Sequence, residues 1–113
     1  MAKSNKAVFW SLFAAGGTLA ALLAPVLALL FLLLALGRAP AILSYANLHA
    51  FAASWLGMVS IFGVITLFLW HAAHRLRVTL HDLGVRLDGV VALLVYGMAA
   101  AGTLACAIQL WRI

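Results

Sequence analysis

The chain has 113 residues, of which 68% are apolar and only 8% charged, and its formal net charge is +5. That is one domain at most, with far less charge than the roughly one quarter usual in soluble domains, so its apolar surface has to face lipid. The seven Lys and Arg are scattered at the edges of apolar runs, a topology pattern rather than a phosphate-binding face, which excludes a nucleic-acid role.

Lys3 and Lys6 form a basic head before the first apolar run, residues 10–36. That run is far longer than a signal-peptide core of about 7–15 residues, so it reads as a retained span. Two more runs, residues 48–73 and 90–110, are each long enough to cross about 30 Å of hydrocarbon as a helix. The expected fold is therefore an all-α membrane protein, one anchor domain over residues 1–113, with three transmembrane helices in an antiparallel bundle. Pro25 lies mid-span in the first run, where it removes a backbone hydrogen bond. Gly16, Ala20, Ala24 and Ala28 repeat every four residues, as do Gly97, Ala101 and Ala105 in the third run. Such small-residue stripes serve close helix approach in lipid, within the chain or against another subunit.

Orientation follows from the basic residues. Lys3, Lys6, Arg75, Arg77 and Arg86 share one side, against Arg38 and Arg112 on the other, which predicts a cytoplasmic N-terminus and second loop.

Chemistry is concentrated in LWHAAHRLRVTLHDLG, residues 69–84, which holds His71, His74, His81, Arg75, Arg77 and Asp82. On a continuous helix His71, His74 and Arg75 occupy one face, and Asp82 returns to it three turns on. A cationic and imidazole face at the inner end of a span suits phospholipid head groups, a quinone carbonyl, proton relay or haem ligation. The plainer reading is a wetted membrane edge with snorkelling arginines. Trp70 and Trp111 fit an aromatic belt, as does Trp10, although the flat ring of Trp70 beside a histidine-arginine pair would also suit stacking on a quinone; Trp55 reads as an interface or packing residue. Asp88, before Gly89 and the third span, complements a helix N-terminus. His49 and His71 bracket the second span about 33 Å apart, too far to share one iron.

The single cysteine, Cys106, sits in an apolar stretch and excludes an intramolecular disulfide. No span contains a carboxylate, and no nucleophile–base pair or phosphate loop is present, so the chain alone is not an enzyme. A proton-coupled transporter of the small multidrug type lacks its membrane acid.

With these residues laid out, the chain resembles the D-type membrane anchors of bacterial fumarate reductase over nearly its whole length. The resemblance is carried by VFWSLFAAGG (residues 8–17), Ala24-Pro25-Val26, Leu43-Ser44-Tyr45, and His74-Arg75 followed by His81-Asp82-Leu83. It implies a membrane anchor in the bacterial cytoplasmic membrane, part of a heterotetramer of anaerobic respiratory electron transport. The implied partners are a second membrane anchor of the C type, an iron–sulfur subunit and a flavoprotein, with FAD and iron–sulfur clusters confined to the latter two. It also implies quinone binding, with menaquinone the typical quinone, by Trp10, His74 and Arg75. One position departs from the pattern, because familiar haem-free members have cysteine where this chain has His71. Related succinate dehydrogenase anchors carry a haem-ligating histidine at the His71–Asp82 spacing, which makes His71 the one haem b ligand this chain could offer. A haem-bearing succinate dehydrogenase anchor and a stand-alone homo-oligomeric membrane protein remain the alternatives.

Overall fold

The computed structural model describes residues 5–113; Lys3, counted above toward orientation, lies outside the described residues. The elements are α1 (Lys6–Ala35), a 3-10 turn (Ala41–Leu43), α2 (Tyr45–Ala53), α3 (Trp55–Asp82) and α4 (Asp88–Arg112). Helices α1, α3 and α4 are each long and apolar enough to cross a membrane. They are the three expected spans, and no strand occurs among the described residues.

Helix α1 runs through Pro25 without a break. It ends at Gly37, whose φ of 68° is the left-handed conformation that a residue without Cβ adopts at no steric cost. Gly37 N–H donates to Leu34 O, and Arg38 N–H donates to Leu33 O. These are the two reverse bonds that satisfy the last carbonyls of a helix. Gly84 (φ 92°) closes α3 in the same way, with Gly84 N–H to His81 O and Val85 N–H to Leu80 O.

The second apolar run is not one helix from residue 48. Its backbone breaks at Ser54, which is extended (ψ 152°) between α2 and α3. Ser54 Oγ accepts from Gly57 N–H at 3.0 Å and donates to Phe51 O at 2.6 Å. Such a hydroxyl offers the backbone an alternative to continuing the helix, which hydropathy averaging over the run does not register. Gly57 completes the break, since a Cβ there would lie 1.7 Å from Phe51 O. His49 therefore sits on α2 and not on the second span.

The span starts seven residues later than hydropathy suggests and compensates by continuing through the polar passage to Asp82. Counted from Trp55, twenty residues at 1.5 Å each give about 30 Å, so the hydrocarbon thickness is used up near His74. Beyond it the helix carries its charges clear of the apolar zone.

Helix α3 is the central element and packs against α1, α2 and α4. The buried hydrophobic core between α3 and α4 is small: Ala73 (7% exposed), Val95 (6%) and Ala99 (4%), flanked by Leu69, Val91 and Tyr96. On the other side, Gly16 is buried against α3. A Cβ on Gly16 would meet Leu67 O at 2.7 Å and His71 Cβ at 2.9 Å. Close approach through small residues is how helices associate when lipid supplies no hydrophobic drive. The α1 stripe thus packs within the chain at Gly16, while Ala24 and Ala28 are exposed. The Gly97, Ala101 and Ala105 stripe is exposed, and a Cβ on Gly97 would have nothing within 4 Å. It faces away from this bundle.

Candidate functional site

The antiparallel arrangement brings the start of α1 beside the polar end of α3 and the first half of α4. Three helices meet there around His71 and His74, which face different neighbours. His71 turns to α1, where its Nδ1 lies 3.0 Å from Phe13 O and its ring stacks on Phe13 at a centroid distance of 4.5 Å. Because the partner is a carbonyl, Nδ1 carries the proton and donates. The ring also lies along Gly17, where a Cβ would be 2.6 Å from Cε1 and 3.4 Å from Nε2.

His74, one turn further, turns to α4. Its Nδ1 lies 2.9 Å from the Tyr96 hydroxyl, and its edge meets Phe13 at 4.7 Å. Tyr96 is in turn stacked on Trp70 at 5.9 Å and covered by the Arg77 guanidinium at 5.7 Å. Trp70 Nε1 donates to Thr103 Oγ1 at 3.2 Å, and that hydroxyl donates to Ala99 O. The orientation of His74 is thus set by a chain of contacts running down α4.

Between α1, α3 and α4 lies a cavity of about 870 Å³ lined by Lys6, Phe9, Trp10, Leu12, Phe13, Thr66, Leu67, Trp70, His74 and Tyr96. Its size is that of a small-molecule site, and a largely aromatic wall with a few convergent polar groups is the usual composition. Thr66 Oγ1 is buried and has no hydrogen-bond partner. A second cavity, about 370 Å³, lies beyond it and is lined by His74, Arg77, Val78, His81 and Asp88.

Of the residues singled out from sequence, Trp10 and His74 come together on the larger cavity. Arg75 does not line it and is exposed on the other side of its turn. Neighbours on a helix point about 100° apart, so His74 and Arg75 cannot both face α4. His71 lines neither cavity. Its Nδ1 is bonded to Phe13 O, which leaves Nε2 as the ring's free nitrogen, and Phe13 covers one face. Asp82 is exposed and off the site. Arg77, which sequence reads as snorkelling, instead forms a two-point pair with Asp88.

Trp70, read from sequence as a belt residue, lines the cavity, as do Phe13, Thr66 and Tyr96. Tyr96 could have been found only as the one hydroxyl-bearing aromatic inside the third span; Thr66 carries no sequence signal.

Three long apolar helices, the first two linked through α2 and the last two by a short turn, define a helical membrane protein, with His71, His74 and most of its charges at one end of the bundle. The family model for the D subunit of fumarate reductase matches residues 1–111. The chain is 39% identical over 99 residues to the fumarate reductase D subunit of Vibrio cholerae serotype O1 (strain M66-2), covering 86% of this chain and 76% of that protein. It is 34% identical over 113 residues to the protein of that name from Aliivibrio fischeri (strain MJ11), covering 98% and 94%. It is 40% identical over 86 residues to that of Haemophilus ducreyi (strain 35000HP / ATCC 700724), covering 75% and 72%. The chain belongs to the fumarate reductase D subunit family.

Proposed function

We propose that this chain is a membrane anchor of a bacterial fumarate reductase and helps bind the quinol that supplies electrons for fumarate reduction. The observation that carries the quinol reading is that Trp10 and His74, on different helices, line one cavity of about 870 Å³. A quinone head group is flat, apolar on its faces and able to hydrogen-bond only at two opposite oxygens. Aromatic side chains such as Trp10 and Trp70 suit its faces, and the His74 imidazole suits one oxygen. Placed where the spanning part of α3 ends, the cavity receives a lipid-soluble donor from the bilayer and opens toward soluble partners.

Those partners are a second anchor, an iron–sulfur subunit and a flavoprotein, together a heterotetramer in the cytoplasmic membrane. Menaquinol is the expected donor. Arg75, outside the cavity, takes part through a wall completed by a partner subunit, where its charge opposes the negative charge that develops on a quinone oxygen.

The test uses the assembled complex carrying Trp10→Ala or His74→Ala. Quinol-driven fumarate reduction falls by at least tenfold, while fumarate reduction by an artificial donor reports intact assembly. Full quinol-driven activity in both variants would show the cavity to be unrelated to quinol.

A further inference from the structure

Among their lining residues the two cavities share one side chain, His74. The larger cavity is apolar apart from Lys6, Thr66, His74 and the Tyr96 hydroxyl, whereas the smaller one gathers Arg77, His81 and Asp88 beside His74. We propose that His74 is a proton gate between them, passing protons released in the larger cavity to His81 and the water of the smaller one. The proposal rests on the quinol reading above and assigns the route its protons take.

Oxidation of one quinol breaks two O–H bonds and yields quinone, two protons and two electrons. The electrons leave to an iron–sulfur acceptor in a partner subunit. A proton left among aromatic walls carries a steep desolvation cost, so it has to be handed on. Neutral His74 accepts one proton, becomes imidazolium, and releases one proton into the smaller cavity. It is then neutral again for the second. A hydroxyl both donates and accepts, so Tyr96 at 2.9 Å from Nδ1 holds the ring in either protonation state.

Charged and titratable groups approach His74 from all three helices. Arg77 and His81 approach from α3, Asp88 and Tyr96 from α4, and Lys6 of α1 lines the larger cavity. The Asp88 carboxylate is engaged by Arg77. His81, exposed at the outer cavity, is the base that exchanges with bulk water.

The test is His81→Gln in the assembled complex, assayed with a short-chain quinol in H₂O and D₂O, with and without added imidazole. Positioned proton transfer is worth about 10²–10⁴-fold in rate, and water replaces part of what the exposed His81 supplies, so quinol-driven turnover falls roughly tenfold, its solvent isotope effect rises, and imidazole restores the rate. Unchanged turnover, or a loss that imidazole leaves untouched, overturns the gate. Trp10→Ala separates the two readings. If it abolishes quinol-driven turnover while His81→Gln behaves as wild type, the site stands and the route fails; if it has no effect, the site itself fails.

Discussion

Arg77, near the end of α3, grips Asp88, the first residue of α4, with two hydrogen bonds, Nε to Oδ1 at 2.9 Å and Nη2 to Oδ2 at 2.5 Å. The pair spans the turn at residues 83–87 and fixes the angle at which α4 leaves it. A guanidinium fork matches a carboxylate at both points where an ammonium meets only one. Both side chains are partly solvent-exposed, so the pair sets geometry more than it adds stability. Arg77→Lys and Asp88→Asn are each expected to lower the thermal midpoint in detergent slightly. The double substitution costs no more than the worse single one, and a double-mutant cycle reads that coupling directly.

The contact between α1 and α3 is far less forgiving. At Gly16 an added Cβ meets the Leu67 carbonyl of the α3 backbone at 2.7 Å, whereas at Gly17 it meets only the end of the His71 ring. Overpacking costs roughly 1–3 kcal/mol, and Gly16→Ala falls at the upper end because backbone has to move. Gly17→Ala costs less and is relieved by His71→Ala; Gly16→Ala is not relieved, since Leu67 stays in place. Thermal midpoints of the four variants in one detergent decide this.

How much of this was legible in the sequence depends on the kind of signal each residue carries. Hydropathy located three spans because lipid imposes one simple requirement on every residue of a run. It misplaced the start of the second because Ser54 and Gly57 break the helix through two local contacts that averaging erases. Periodicity put His71, His74 and Arg75 on a common face, yet His71 meets α1, His74 meets both α4 and Phe13 of α1, and Arg75 meets the exterior. A face about 100° wide is broad enough to touch two neighbouring helices at once. Tyr96, Trp70 and Thr103 form the support of His74 only through contacts across α4, and no spacing within one helix encodes those.

Gly57 yields a prediction about the break itself. A Cβ 1.7 Å from Phe51 O cannot be accommodated by a side-chain rotation. Gly57→Ala therefore forces α2 away from α3 or straightens the two into one helix. Cysteine pairs placed on α2 and α3 would show altered cross-linking. Ser54→Ala, which removes both hydroxyl bonds, is expected to move it in the same direction by a smaller amount.

Thr66 presents the opposite case, a polar atom with nothing to bond. Its Oγ1 is buried and unpartnered at the wall of the larger cavity. Replacing a buried unsatisfied hydroxyl with a methyl removes a desolvation cost of about 1 kcal/mol. Thr66→Val is thus expected to raise the thermal midpoint of the isolated chain in detergent, a gain that Thr66→Ala, which leaves a void, does not share.

His71 gives the last prediction, and it separates a structural imidazole from a ligand. Its Nδ1 proton is spent on Phe13 O, and its ring fills the space that Gly17 leaves open. Losing the hydrogen bond costs roughly 1 kcal/mol, and emptying the volume beside Gly17 adds to it. His71→Ala is therefore expected to weaken the docking of α1 and lower the thermal midpoint. His71→Asn, whose side-chain N–H can still reach the carbonyl, recovers part of the loss. The reduced-minus-oxidised spectrum of the assembled complex should be the same for all three proteins. A b-type band that disappears with His71→Ala would overturn the structural assignment and make this imidazole a haem ligand.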